Sequence, residues 1–110
     1  MKLAQSRADL DDIVHSPVRF AVLAALASVE SATYQTLKDA LEISYTLLTK
    51  HANILEEAGY ISVEKSFVGK KAQTTFRLTR EGREAFNKHL HALKHLANGL
   101  QSHSTKMHED

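Results

Sequence analysis

Apolar residues recur every three or four positions along the first half of the chain, which predicts helices. Ser16 offers a hydroxyl group for an N-cap, and Pro17 suits the first helical position because its missing N–H costs nothing there. The apolar stripe from Val18 to Leu26 predicts that this helix ends near Ser28.

The residues before this helix carry a shorter pattern. Residues 1–9 are polar, and we expect them to be frayed. Leu10, Ile13 and Val14 lie at helical spacing, so they predict a short helix that ends near His15.

Two further helices follow, with a tight connection between them. The first covers about residues 35–41, and either Thr33 or Gln35 could cap it. Ser44 is a good N-cap for the second, which is predicted to end at Gly59. The inward face of this second helix is expected to contain residues spaced four and three apart, namely Leu48, Ala52 and Leu55.

The pattern then changes to an alternation of apolar and polar residues, which is typical of strands. The apolar positions of the two alternating runs are Ile61, Val63 and Phe67, and then Phe76 and Leu78. Gly69 lies between the runs, so we predict a β-hairpin.

A last helix is predicted after Thr79, which can cap it, with Glu81 favourably placed in the first turn. Its apolar residues recur at four-three spacing and form a stripe of Phe86, Leu90, Leu93, Ala97 and Leu100. Leu96 widens this stripe. We expect no other element of the chain to cover the second half of this stripe, which therefore predicts a dimer interface. Residues 101–110 form a polar tail.

The predicted order of elements is helix, helix, tight turn, helix, hairpin, helix. This is the order of a mainly α winged helix-turn-helix domain, with a small β-hairpin wing and a C-terminal dimerisation helix. We expect one such domain over residues 10–100, and its recognition helix, residues 44–58, would lie in the DNA major groove.

Five segments resemble small winged-helix transcriptional regulators of the MarR, ArsR and PadR groups. They are His15–Arg19, Leu37–Leu41, Leu48–His51, Leu55–Ile61 and Phe76–Gly82. The resemblance covers about Leu10 to Leu96 and implies a homodimer that binds double-stranded DNA and represses transcription. It also implies that Leu10, Ile13 and Val14 lie beside the last helix at the dimer interface.

The chain departs from these families at three places. Glu42 occupies the turn position where glycine is frequent, and Ala52 stands where leucine is common. Tyr45, Leu47 and Ile54 are apolar or aromatic where polar residues are usual on the exposed helix face. These three residues could contact thymine methyl groups, or they could cover a core or dimer surface.

The charge of the chain is unevenly distributed, although its formal net value is only +1. Residues 1–43 sum to −2, residues 44–83 to +3, and residues 84–110 to zero. The positive stretch therefore coincides with the predicted recognition helix and hairpin, and this favours a polyanionic partner.

The predicted DNA-contacting residues come from these two elements. On the recognition helix they are Ser44, Tyr45, Thr46, Thr49, Lys50, His51 and Asn53, and on the wing they are Lys65, Gly69, Lys70 and Lys71. Threonine and asparagine can bond to base edges, and lysine can reach phosphate or guanine. Alternatively, His51 is structural, and the wing lysines only protect an exposed strand edge.

The composition excludes several other functions. The chain has no cysteine, and its four glycines are too scattered for a phosphate-binding loop. It lacks the spacing of a zinc-protease or nucleophile-elbow motif, so we expect no enzyme and no cofactor. Its longest apolar run has eight residues, and we expect a cytoplasmic protein without a membrane anchor.

Seven histidines are many for this length. His91 and His95 are four residues apart on one helix face and are weak candidates for metal ligands. No acidic residue between Glu84 and Glu109 completes a set, so solvated histidines are favoured. Two alternatives to a simple regulator remain: a winged helix that binds protein, and a regulator that senses a small molecule between the last helix and the core.

Overall fold

The computed structural model describes residues 3–109, and for Ser6 and residues 100–109 it describes only the backbone. The elements in chain order are α1 (Leu3–Ala8), α2 (Pro17–Ala27), β1 (Ala32–Thr33), α3 (Tyr34–Leu41), α4 (Tyr45–Glu57), β2 (Ile61–Val68), β3 (Lys71–Leu78) and α5 (Arg80–Glu109). The chain is thus mainly helical with a small antiparallel sheet, as the hydrophobic pattern predicts.

Hydroxyl side chains start four of these helices, at the positions predicted from sequence. Ser16, Thr33, Ser44 and Thr79 each accept a hydrogen bond from the backbone N–H three residues later. Thr33, rather than Gln35, therefore caps α3. Because the capped N–H groups have no partner within the helix, these bonds define where each helix begins.

The three strands form one antiparallel sheet with the order β1-β3-β2. Ile61 pairs with Leu78 at the base of the β2–β3 hairpin, and Val68 pairs with Lys71 at its tip. Gly69 turns the chain with φ 64°, a left-handed conformation that glycine adopts without strain. Only the base of the hairpin reaches the core, so its tip extends into solvent.

The core lies where α2, α3, α4, the sheet and the start of α5 meet. It consists of Val14, Val22, Leu23, Leu26, Leu37, Leu48, Ala52, Leu55, Ile61, Phe76 and Phe86. The inward face predicted for the recognition helix is confirmed, because Leu48, Ala52 and Leu55 are all buried. In the described part of the chain, no helix is long and apolar enough to cross a bilayer.

The turn between α3 and α4 has a left-handed residue that is not glycine. Glu42 adopts φ 52° and ψ 46°, and Ile43 then donates its N–H to the Lys38 carbonyl oxygen at 3.3 Å. The position where related families often carry glycine thus requires positive φ in this chain as well. The glutamate is strained there, because its Cβ approaches the following carbonyl oxygen.

The N-terminal predictions are wrong in two respects. Residues 3–8 form α1 instead of being frayed, and residues 10–15 form turns instead of a helix. Asp11 explains the turns, since its carboxylate accepts hydrogen bonds from the N–H groups of Ile13 and Val14 at 2.8 and 3.1 Å. Such side-chain bonds compete with the helical pattern that apolar spacing alone suggests.

A hydrogen-bond network anchors this turn to the rest of the domain. The backbone N–H of Asp11 donates to Nδ1 of buried His89 at 2.9 Å, and Tyr60 donates its hydroxyl hydrogen to the Asp11 carboxylate at 2.6 Å. The bond to Asp11 raises the pKa of Tyr60 to about 12. Nε2 of His89 lies 3.4 Å from Nδ1 of His15. The network joins the N-terminal turn, the start of β2 and the middle of α5.

The last helix is longer than predicted and is covered differently. α5 continues to Glu109, beyond the end expected near residue 100. Its buried face carries Phe86, His89 and Ala92, so the predicted stripe lies only partly inward. α1 packs against α5, with Leu3 lying over Gly99. The expectation that the chain supplies nothing to cover the second half of this helix is therefore wrong.

Candidate nucleic-acid interface

Three polar side chains form an exposed stripe along α4. Thr46, Lys50 and Asn53 are all exposed and are spaced four and three residues apart, so they share one helix face. The opposite face is buried in the core. Ser44 precedes the stripe, and its hydroxyl oxygen is occupied at 3.1 Å by the N–H of Leu47. The stripe is therefore free to contact another molecule.

Tyr34 positions the start of α4, a role that the hydrophobic pattern does not reveal. Its hydroxyl group donates to the backbone oxygen of Tyr45 at 2.6 Å and lies 2.7 Å from the hydroxyl oxygen of Thr49. Because the single hydroxyl hydrogen of Tyr34 is used for Tyr45, Thr49 must donate to Tyr34. Thr49 is half-buried and holds the helix in place, whereas Tyr45 remains 65% exposed.

His51 lies between α4 and α2 rather than on the exposed stripe. Its Nδ1 atom accepts a hydrogen bond from the Arg19 guanidinium at 3.0 Å, and Arg19 also donates to the carbonyl oxygen of Ile13. Burial and then the positive charges of Arg19 and Lys50 lower the pKa of His51. The imidazole therefore stays neutral and acts as a structural acceptor, the alternative considered for it from the sequence.

The wing carries its lysines on its solvent-exposed half. Lys65, Lys70 and Lys71 are all exposed, and the turn at Gly69 separates the two strands. Phe67 belongs to the alternation that predicted a buried strand face, but it is 74% exposed because the hairpin extends beyond the core at this point. The hairpin thus places three positive charges and one aromatic ring at its outer end.

A cleft of about 450 Å³ lies between α4 and the wing. It is lined by Tyr34, Tyr45, Thr49, Ala52, Asn53, Glu56, Val63, Lys65, Thr74 and Phe76. Ala52, which stands where related families often have leucine, lies at its inner wall. Tyr34 fills part of the space, since its ring centre lies 4.9 Å from that of Tyr45 and 5.8 Å from that of Phe76.

The ion pairs in the described part of the chain lie away from this surface. Their partners are Arg77 and Glu30, Arg80 and Glu84, and Lys88 and Asp9. Lys50, Lys65, Lys70 and Lys71 are exposed on α4 and the wing, so their charges face solvent. Such a concentration of positive charge attracts a polyanion over several ångströms.

The residues predicted for the dimer interface separate into two groups. Val14 is fully buried and Phe86 is 7% exposed, both within the core of the single chain, so neither offers surface to a partner. Leu10, Ile13, Leu90, Leu93 and Leu96 are half-buried, and Ala97 is exposed. The side chain of Leu100 lies outside the described residues.

The two candidate metal ligands lie on an exposed face of α5. The ring centres of His91 and His95 are 6.0 Å apart. Among the residues that the structure describes, no group of three or more histidine or acidic side chains could hold a metal ion. The geometry therefore gives this pair no further ligand.

Known proteins share both the sequence pattern and the fold. Residues 18–97 match the winged helix DNA-binding domain family. The uncharacterized protein MJ0432 of Methanocaldococcus jannaschii is 29% identical over 89 residues, which cover 81% of this chain and 97% of that protein.

Solved structures also resemble the chain. A transcriptional regulator homologue from Pyrococcus horikoshii OT3 has a TM-score of 0.80 at 23% identity, covering 91% of this chain and 98% of that one. The PcaV transcriptional regulator from Streptomyces coelicolor, solved with its natural ligand, has a TM-score of 0.70 at 16% identity and covers 87% of this chain and 67% of its own. Since the family match spans most of the sequence, the predicted resemblance is confirmed, and the chain belongs to the winged helix DNA-binding domain family.

Proposed function

We propose that this chain is a homodimeric, sequence-specific repressor of transcription. Its α4 enters the DNA major groove, and its wing contacts the backbone or minor groove beside it. The observation that carries this proposal is the exposed stripe of Thr46, Lys50 and Asn53, which lies across a cleft from the lysine-bearing wing. Threonine, lysine and asparagine present hydrogen-bonding groups suited to base edges, and the wing lysines suit phosphates.

The salt dependence of DNA binding tests the role of the wing. Replacing Lys70 and Lys71 together by alanine should weaken binding to every duplex and reduce the slope of log K against log salt by about 4, because the dimer loses four phosphate-contacting lysines and each contributes about 1. The matched control changes Lys88 and Lys94 to alanine, since both lie on α5. Equal slopes for the wing variant and the control would refute the wing contacts.

The sequence preference of binding tests the role of α4. Selection from a pool of random duplexes should give different preferred sequences for Thr46→Ala, Lys50→Ala and Asn53→Ala. A good base contact contributes roughly 1–3 kcal/mol of discrimination. Thr49→Ala should mainly lower stability, because that hydroxyl group is bonded to Tyr34. If all three stripe variants selected the same sequence as the unmutated protein, α4 would not be the reading element.

The homodimer is proposed from apolar residues of α5 that the single chain covers only in part. Leu90, Leu93 and Leu96 are only half-buried, and Ala97 is exposed. Pairing through this face would place two copies of α4 in successive major grooves, roughly 34–36 Å apart, on a palindromic site.

A second candidate function, the sensing of a small molecule, is favoured by a cleft between α5 and the domain. This cleft of about 250 Å³ is lined by Val14, His15, Ser16, Pro17, Phe20, His89 and Leu93. It lies where a bound molecule could alter the angle of α5, and PcaV was solved with its natural ligand.

Titration with a panel of small aromatic carboxylates tests this second candidate. A compound that raises the melting temperature of the protein and weakens its DNA binding would support sensing. The His15→Trp variant, which narrows the cleft at its exposed rim, should lose both effects. A panel that leaves melting and DNA binding unchanged would count against small aromatic acids as effectors.

A further inference from the structure

The tip of the wing exposes two large apolar side chains, one on each face of β2. Phe67, at 74%, is the most exposed large hydrophobic side chain in the described part of the chain, and Val68, at 62%, comes third after Tyr45 at 65%. The cross-strand partner of Phe67 is Ala72, which is too small to shield the ring. A ring exposed to this extent is free to contact another molecule.

The sheet register shows which way Phe67 faces. Successive side chains of a strand point to opposite faces, so Val63, Lys65 and Phe67 share one face of β2. Val63 and Lys65 line the cleft beside α4. Phe67 therefore continues that face toward the tip, about 7 Å beyond Lys65 at the usual rise of a strand. Val68 belongs to the opposite face.

The charges around this ring identify its partner as a polyanion. Lys65 lies on the same face as Phe67, Lys70 lies in the turn beyond it, and Lys71, which pairs with Val68, lies on the opposite face of the tip. A flat ring among cations suits a partner that has both phosphates and stacked aromatic rings, and duplex DNA has both. The same face also leads to the polar stripe of α4, so a single duplex can contact the two elements together.

We propose that Phe67 is an apolar wedge that enters the minor groove and inserts between two adjacent base pairs, bending the duplex. This inference rests on the proposed DNA-binding function and extends it to the deformation of the DNA. Apolar side chains inserted in this way partly unstack a base step and bend DNA by about 20–90°. Because pyrimidine–purine steps unstack most easily, the preferred sites should have such a step beneath the wing.

The absence of tryptophan from the chain makes a direct test possible. Phe67→Trp should keep the wedge, and its fluorescence should be quenched when the indole ring stacks on bases. Val29→Trp is the matched control, because Val29 is exposed but lies outside α4 and the wing, and its emission should stay nearly unchanged. The probe is a duplex selected from a random pool with the unmutated protein, carrying a dye at each end so that energy transfer reports bending.

Removal of the ring should abolish the bend and weaken affinity without altering the charge contacts. We expect Phe67→Ala to bind the selected duplex about tenfold more weakly, since base stacking on an aromatic ring has effects of this order. Its salt slope should equal that of the unmutated protein, because no lysine is lost. Circular dichroism should confirm that the variant keeps its fold.

The outcomes separate the wedge from the proposed function. If the unmutated protein binds no selected duplex, the proposed function fails, and the wedge fails with it. If it binds with the expected salt slope but Phe67→Ala bends the duplex equally, or the Phe67→Trp emission is not quenched, only the wedge is overturned. The wedge is also overturned if Phe67→Ala bends the duplex as the unmutated protein does but no longer binds phosphatidylserine–phosphatidylcholine vesicles. That result would assign Phe67 to a membrane surface.

Discussion

Asp11 and His89 are titratable residues that link the N-terminal turn to α5. Burial opposes ionisation of Asp11, but the hydrogen bonds from Tyr60 and from the N–H groups of Val14 and Ile13 prevail and lower its pKa. Burial, followed by the nearby charge of His15, lowers the pKa of His89, while Asp11 partly opposes this shift. The folded state therefore favours a charged Asp11 and a neutral His89.

Acidification should destabilise the protein through both groups. A group whose folded pKa is lowered contributes stability above its unfolded pKa and loses it as the pH falls through the folded value. The loss should therefore begin near pH 6.5 for His89 and near pH 3.8 for Asp11. Urea unfolding across this pH range should show a smaller first loss in His89→Gln, whereas His91→Gln, on the exposed face, should match the unmutated protein.

Glu42 is a residue whose backbone conformation is unfavourable for its type. At φ 52° it lies in the left-handed region, where a Cβ atom costs roughly 1–2 kcal/mol. Glu42→Gly should therefore stabilise the fold by about 1 kcal/mol in urea unfolding, the gain being reduced by the greater freedom of glycine in the unfolded chain. Glu42→Ala keeps the Cβ and should bring no such gain. Equal stabilisation by both substitutions would show that the carboxylate, and not the conformation, is unfavourable.

At the scale of the elements, α5 starts in close contact with the backbone of Tyr60, just before β2. A Cβ atom added at Gly82 would collide with the carbonyl oxygen of Tyr60, which also accepts the N–H of Thr79 at 3.1 Å. Since the backbone cannot move away cheaply, Gly82→Ala should destabilise the fold by roughly 2 kcal/mol, although alanine favours helix.

Gly99 provides the comparison within the same helix. An added Cβ atom there would lie 2.6 Å from Cδ2 of Leu3, the far end of a flexible side chain that can rotate aside. Gly99→Ala should therefore stabilise α5 by up to about 1 kcal/mol. Thermal and urea unfolding of both variants test this comparison. A similar loss of stability in Gly82→Ala and Gly99→Ala would contradict the collision at Tyr60.

At the scale of the whole molecule, the central prediction is that two copies associate through α5. Leu93→Asp combined with Ala97→Asp places two charges on the partly uncovered face and should give a folded monomer of about 12.3 kDa by light scattering. DNA binding should weaken greatly because the two half-sites can no longer be held together. Asn87→Asp, on another exposed face of α5, should leave the mass and binding unchanged. A concentration-independent mass near 12.3 kDa for the unmutated protein would refute the dimer.

The elements whose formation depends on neighbouring residues could be predicted without the structure. The hydroxyl N-caps at Ser16, Ser44 and Thr79, the stop at Gly59 and the hairpin around Gly69 follow from local backbone geometry, which a short stretch of chain already contains. Their order was enough to indicate a winged helix, and the charge division predicted a DNA-contacting surface on α4 and the wing.

Features that depend on contacts between residues distant in the chain could be seen only in the folded structure. The turn that the Asp11 carboxylate caps is held against the domain by His89 and Tyr60, which lie far along the sequence. Thr49 and His51 share a helix with the exposed stripe, yet Tyr34 and Arg19 draw them inward. Spacing shows only which residues share a face. Which face is covered, and by what, depends on packing between elements, and that is set by long-range contacts that no local pattern encodes.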